Sequence, residues 1–302
     1  MLRLPALFTV PGDALAGAAA ASARPDSRTL LAIASSLCLY EAGMALNDWA
    51  DRHEDAAERP HRPLPSGRIH PASAFTAACV LTATGLALAS RAGRPALSVA
   101  TPLAATVWAY DLLLKRTAAG PAAMAAARGL DLLLGAAATR PTAPVRRALP
   151  SAALLSTHTL AVTTVSRRET TGGSSRAPLA ALATTGALTF LVARNASLAA
   201  RRASTPSRSA PLPVTSRPSR PGRGILRAAL AATYTATAAR PYLHAALNPS
   251  PPLTQRAVGG GIRATVPLQA ALSARAGAPV SALLTATLAP LARRFARKVS
   301  IT

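Results

Sequence analysis

The sequence is poor in acid. Only 11 of its 302 residues are Asp or Glu, against 34 Lys and Arg, and the formal net charge is +23. A basic excess of that size suggests nucleic acid as a partner. Aromatic residues are just as scarce, at 3%, which removes the stacking platforms that single-strand binding uses. The arginines also sit between apolar blocks instead of forming one face. Nucleic acid is therefore excluded, and lipid headgroups or a diphosphate are the expected counter-charges. Cysteine is nearly absent. Cys38 and Cys79 lie apart in apolar stretches, give no zinc pattern, and do not identify a compartment. Sequence patterns for a GxSxG hydrolase, a P-loop, a CxxC pair or an HExxH zinc site are missing too.

Charged residues total 15% and apolar residues 50%, where soluble domains carry about 25% charge. This balance points into a membrane. The apolar mass is largely Ala, so each span scores weakly on hydropathy. No stretch alternates with period two, which removes a β-barrel. Apolar spans fall at residues 4–23, 29–46, 71–90, 95–114, 119–138, 150–165, 177–200, 225–246, 255–274 and 277–297. Each approaches the ~20 residues needed to cross the hydrocarbon core. The expected fold is all-α, a polytopic transmembrane bundle of nine or ten helices in one domain over 1–302. The start of the chain, with Pro5, Pro11 and Asp13 interrupting its apolar run, reads as a retained first helix and not as a cleaved leader. Residues 201–223, rich in Pro, Ser and Arg, read as a flexible basic loop.

Five of the eleven acids, Asp48, Asp51, Glu54, Asp55 and Glu58, crowd into one short stretch directly after the second span. On a helix Asp48, Asp51, Asp55 and Glu58 share a face, and Asn47 joins it. A solvated helix face is the usual meaning of such a run. A carboxylate stripe also suits Mg2+, which bridges one or two carboxylates to a phosphate. Glu41, inside the second span, is either a functional carboxylate or a hydrogen-bonded packing group. Asp131 either faces a cavity or pairs with Arg128 one turn away, and His158 and His244 are assigned to packing. The ends of spans two, four and six share one membrane side by parity. Their Lys and Arg residues place that side in the cytoplasm, although the basic loop after span seven then falls opposite.

Asn47-Asp48-Trp49-Ala50-Asp51-Arg52-His53-Glu54-Asp55 matches an NDxxDxxxD pattern, and Arg59 to Gly67 match an adjoining RPxRPxxSG pattern. Together they resemble the UbiA superfamily of intramembrane prenyltransferases. Tyr110 and Lys115 resemble that family's YxxxxK pattern, and Arg3 with the PGDALAG segment resembles its first helix. The family's second Asp motif is reduced here to Ser166-Arg167-Arg168-Glu169, and Ala6 stands where many members carry Asn. An intact first motif with a weakened second one is similar to a divergent actinobacterial branch, EboC-like. The segments Arg128-Gly129-Leu130-Asp131 and GGGIRATVPLQAAL add to that similarity.

The resemblance implies transfer of an isoprenoid chain from a polyprenyl diphosphate to a small-molecule acceptor, aromatic in some members, with Mg2+ as cofactor. It implies Asp48, Asp51 and Asp55, with Glu169, as metal ligands, and Lys115 as a diphosphate contact beside those aspartates in catalysis. Asn47, Arg59, Arg62, Tyr110, Arg167 and Arg168 are the implied substrate-binding residues. Lys115 with Arg116 has a plainer reading as an interfacial anchor. The implied location is the plasma membrane, with lipid as the surrounding partner and the active-site loops cytoplasmic. The reduced second motif leaves a degenerate lipid-diphosphate-binding protein, or a component of metabolite export, as the alternative.

Overall fold

The computed structural model describes residues 7–142, 145–170, 172–194 and 221–299. The described residues form eleven α-helices and no strand. They are α1 (Val10–Ala20), α2 (Ser27–Ala50), α3 (Arg52–Glu58), α4 (Pro71–Ala92), α5 (Arg94–Ala109), α6 (Gly120–Thr139), α7 (Leu149–Ser166), α8 (Arg176–Ala193), α9 (Pro221–Leu247), α10 (Pro251–Arg275) and α11 (Pro279–Val299). Ten are bundle helices and α3 is a short rim helix, in keeping with the expected all-α polytopic bundle. Of the expected basic loop, residues 201–220 lie outside the described residues. Residues 221–223 are the first turn of α9.

Proline sets many of the helix starts. It occupies the first positions of α1, α4, α5, α6, α7 and α10, where its missing N–H has no helical partner to lose. Among the described residues six spans, including α2, α4, α6 and α8, are long and apolar enough to cross a membrane, and α9 and α10 are not among them. The packing is small inside and large outside. The buried residues are dominated by Ala, while Leu113, Ile225, Phe190 and Leu247 point outward, each more than 60% exposed. Lipid is as apolar as leucine, so helix association in it depends on close backbone approach instead of on burying large side chains.

The tightest approach joins α1 to α6. A Cβ at Gly135 would collide with the backbone of Ala14. Helices α1, α2, α5, α6, α7 and α10 thereby enclose a central cavity. Gly135→Leu is expected to destabilise the bundle by overpacking, about 1–3 kcal/mol, and to reduce recovery of monodisperse protein in detergent. Gly186, with open space around it, accepts Leu without loss in the same chromatographic assay.

Candidate active site at the cavity mouth

Asp51 is where α2 stops and α3 begins. Its backbone leaves the helical region, yet Asp51 N–H still donates to the Asn47 carbonyl (2.9 Å) and Asp55 N–H to the Asp51 carbonyl (2.8 Å). The acidic face is therefore bent at Asp51. Asn47, Asp48 and Asp51 line the cavity. Asp55 does not, since its buried carboxylate takes Arg62 at 2.6 Å and Arg59 at 3.7 Å. Glu54 pairs with Arg116 at the rim, and Glu58 is exposed.

The segment after α3 folds back across the opening. Arg59, His61, Arg62, Pro63 and Arg68 all line the cavity. Its turns are closed by Ser66 N–H donating to the Arg62 carbonyl and Ile69 N–H to the Pro63 carbonyl. Arg68 Nη2 donates to the His61 carbonyl (2.6 Å). Arg62 stands between two acids, 2.6 Å from Asp55 and 4.0 Å from Asp48.

The opposite wall is α5. It ends in a π turn, Tyr110–Leu114, where Lys115 N–H reaches back five residues to the Tyr110 carbonyl (2.8 Å). One extra residue in a helical turn rotates everything after it by about 100°, and such turns occur often at functional sites. Tyr110 and Asp111 line the cavity. Lys115 Nζ lies 2.7 Å from Asp51 Oδ1 and 3.3 Å from Asn47 Oδ1. Arg116 Nη2 reaches Asp51 Oδ1 at 3.1 Å. Lys115 and Asp51 are 14% and 21% exposed, so solvent screens this pair less than it screens a surface pair.

Glu169, on the α7–α8 connection, lines the same cavity as Asp48 and Asp51. Arg167 and Arg168 are exposed, and neither lines it. Arg167 donates instead to the Thr117 carbonyl. Glu41 is part-buried and off the cavity wall.

The cavity has a volume of about 950 Å³, at the upper end for small-molecule sites. Leu39, Met44, Leu103, Val107, Met124 and Ile262 make its walls apolar. Its inner end is polar again. Ser36 precedes Asp48 by twelve residues on α2, which puts it about 18 Å deeper. There Ser36 donates to Asp131 Oδ1. Arg128 does not take Asp131 as its ion-pair partner; it pairs with the fully buried Asp13 at 3.1 Å. Gln269 Nε2 donates to Asp13 Oδ1 (2.6 Å) and to the Thr9 carbonyl (2.7 Å). His158 also lines the cavity. Its ring nitrogens meet Tyr234 Oη (3.1 Å) and the Gly261 carbonyl (3.0 Å). Asp111, Arg128 and His158 were not read as cavity residues from the sequence. A titratable group inside an apolar span is the signal that marks all three.

Among the described residues no three His, Cys, Asp or Glu side chains form a ready-made metal cage. The oxygens at the mouth nevertheless fit Mg2+, which takes one or two carboxylates and completes its shell with phosphate and water. Asp51 Oδ1 already holds two cationic groups within 3.1 Å, which marks it as a cation-binding oxygen.

A helical bundle whose apolar central cavity opens at a mouth of interleaved acids and bases defines the class as an intramembrane helical protein with an amphiphilic cavity. Residues 7–185 match the model of the UbiA prenyltransferase family, and the chain belongs to that family. It is 36% identical over 112 residues to the digeranylgeranylglyceryl phosphate synthase of Methanopyrus kandleri, a match covering 37% of this chain and 40% of that protein. It is 38% identical over 112 residues to the bacteriochlorophyll synthase 33 kDa chain of Rhodobacter capsulatus, covering 35% and 36% respectively. The matches thus span well under half the length of these relatives. In fold, the chain resembles a UbiA homolog from Aeropyrum pernix at TM-score 0.65 and 17% identity, over 90% of this chain and 98% of that one. It also resembles a UbiA homolog from Archaeoglobus fulgidus bound to DMAPP and Mg2+, at TM-score 0.57 and 16% identity, over 92% and 96%.

Removing one partner of a buried ion pair leaves an uncompensated charge, at a cost of about 3–5 kcal/mol. Arg128→Met is therefore expected to lower thermal stability in detergent sharply, and adding Asp13→Asn to recover a large part of the loss. A double-mutant cycle in melting temperature measures the coupling.

Proposed function

We propose that this protein is a prenyltransferase of the plasma membrane, with the cavity mouth on the cytoplasmic side. It moves an isoprenoid chain from a polyprenyl diphosphate to a small-molecule acceptor, with Mg2+. The observation that carries this reading is the continuity of one cavity. It runs from Asn47, Asp48 and Asp51, past Arg59 and Arg62, into walls of Leu103, Val107, Met124 and Ile262. The charged head of the donor belongs at the rim and its chain belongs within.

In the reaction the bond between the prenyl C1 and the diphosphate oxygen breaks. A bond from C1 to the acceptor forms, and the acceptor loses a proton. Charge builds on the leaving diphosphate, so its stabilisation dominates the barrier. Lys115 contributes a compact ammonium beside Asp51. Arg59 and Arg62 contribute planar forks that bind phosphate oxygens in pairs. Asp48 and Asp51, with Asn47 beside them, would hold Mg2+. When bound, the ion neutralises diphosphate oxygens and makes the group a better leaving group. Tyr110 and Tyr40 wall the space just below, and the apolar lining keeps water from the allylic cation. Asp55, clamped by Arg62 and Arg59, orients those two arginines and is one shell removed from the cavity. Glu169 adds a carboxylate from the far rim.

A second reading follows from Arg167 and Arg168. With neither arginine lining the cavity, the α7–α8 connection brings Glu169 to it as its one charged residue. The protein is then a binder of lipid diphosphates that makes no bond. Membranes containing the protein, incubated with labelled geranylgeranyl diphosphate and a lipid extract, separate the two. Formation of a labelled product that stops with EDTA supports transfer, and retained diphosphate without product supports binding alone. Under the first reading Asp51→Asn lowers product formation at least 100-fold, while Lys115→Met raises the half-saturating diphosphate concentration about 10-fold or more. An Asp51→Asn protein with full activity removes the first reading.

A further inference from the structure

A second cavity, about 280 Å³, lies between α9 and α10 and is lined by Arg240, Pro241, His244, Leu253, Arg256 and Arg263. Three guanidinium groups and an imidazole thus converge from two neighbouring helices. Among the described residues none of the three arginines has a carboxylate partner. The sequence shows why: its last acid is Glu169, and the 133 residues from Thr170 to Thr302 contain no Asp or Glu. Ion pairs elsewhere in the chain draw on acids from its first part, and this groove has none within reach.

The four basic residues are exposed, and glycines of α10 shape the surface between them. Arg256 and Arg263 are two helical turns apart and so share a face. Arg263 folds back along α10, and a Cβ at Gly259 would come within 3.2 Å of its Nη1. A larger residue at 259 would obstruct that path. The bare backbone lets the deeper guanidinium climb about one turn toward Arg256, as long basic side chains do near a membrane interface. Gly260 packs against Pro241 of α9 and fixes the width of the groove. The groove lies along the parts of α9 and α10 nearest their connecting turn, whose Pro249 carbonyl accepts from Gly173 N–H (2.8 Å) on the α7–α8 connection. That connection carries Glu169, so the groove and the cavity mouth lie toward the same end of the bundle.

Converging guanidinium groups that lack a carboxylate partner take up an anion where one is available. Exposed Leu243 and Leu247 on α9 flank the groove with apolar surface. An occupant must therefore join an anionic phosphate to acyl chains. We propose that the α9–α10 groove is a binding site for the phosphate of an anionic phospholipid from the leaflet on the mouth side. Basic pockets between membrane helices hold such headgroups by charge-assisted, paired hydrogen bonds. This goes beyond prenyl transfer and does not depend on it.

The test uses the full chain purified in mild detergent. Phosphatidylglycerol, phosphatidylcholine and inorganic phosphate are titrated separately, and bound adducts are counted by native mass spectrometry. Wild-type protein is expected to retain phosphatidylglycerol at least 10-fold better than the R240Q/R256Q/R263Q variant, with phosphatidylcholine retained equally by both. R146Q/R147Q, which removes two exposed cations just before α7, is expected to match wild type. Asp51→Asn is expected to match it too, which separates the groove from the mouth. If the triple variant does not fold, Arg263→Gln alone is read, with a drop of at least 3-fold expected. Equal retention of phosphatidylglycerol by wild type and groove variant overturns the proposal. Displacement of the lipid by inorganic phosphate at similar concentration also overturns it, and reassigns the groove to a free anion.

Discussion

The contact between Lys115 and Asp51 is the junction on which the mouth depends. It ties the end of α5 to the bend between α2 and α3, two places where regular helix gives way. The bend at Asp51 turns the acidic face over the cavity, and the π turn brings Lys115 round to meet it. Either irregularity alone would leave a charge facing lipid or bulk water. Together they bring an ammonium to 2.7 Å from a carboxylate at the lip of an apolar hollow. In that setting each group holds the other in place, and the apolar surroundings strengthen the contact.

The same logic recurs deeper in the bundle. Arg128, Asp13 and Gln269 lock α6, α1 and α10 together inside the bundle, and every charge there has an opposite or a hydrogen-bond donor beside it. Small residues make this locking feasible. The close passage of Gly135 by Ala14 brings α1 against α6, which sets Asp13 within reach of Arg128. Ala-rich composition weakens each span on a hydropathy scale, yet it lets the polar clamps form. Low hydropathy and a polar interior are two consequences of one choice of residue size.

The fold was legible because proline and apolar run length are local properties. Ten expected spans correspond to ten bundle helices, and the rim helix α3 falls inside the acidic stretch. Part of the mouth was equally legible. Asn47, Asp48 and Asp51 occupy consecutive positions on one helical face, and that face meets the cavity. Periodicity did not foresee Asp55 turning under Arg62, because the partner comes from a loop whose path depends on tertiary closure. The pairing of Arg128 with Asp13 was hidden for a similar reason. Helical spacing offered Asp131 one turn away, and a residue more than a hundred positions distant supplied the carboxylate. Lys115 was marked only by the YxxxxK resemblance, since no propensity announces a π turn.

Charge distribution along the chain divides the molecule functionally. Every acid lies at or before Glu169, and half the basic residues lie after it. The first part can therefore build mixed sites in which cations and carboxylates balance, as at the mouth and around Arg128. The second part cannot, whatever its fold, because it has no negative side chain to contribute. Its arginines must meet water, helix carbonyls or an anion from outside the protein. Where they converge on an exposed groove between two helices, an external anion is the one partner that answers all three charges together. The same scarcity of acid that concentrates carboxylates at one end of the cavity leaves an uncompensated positive groove on the flank of α10.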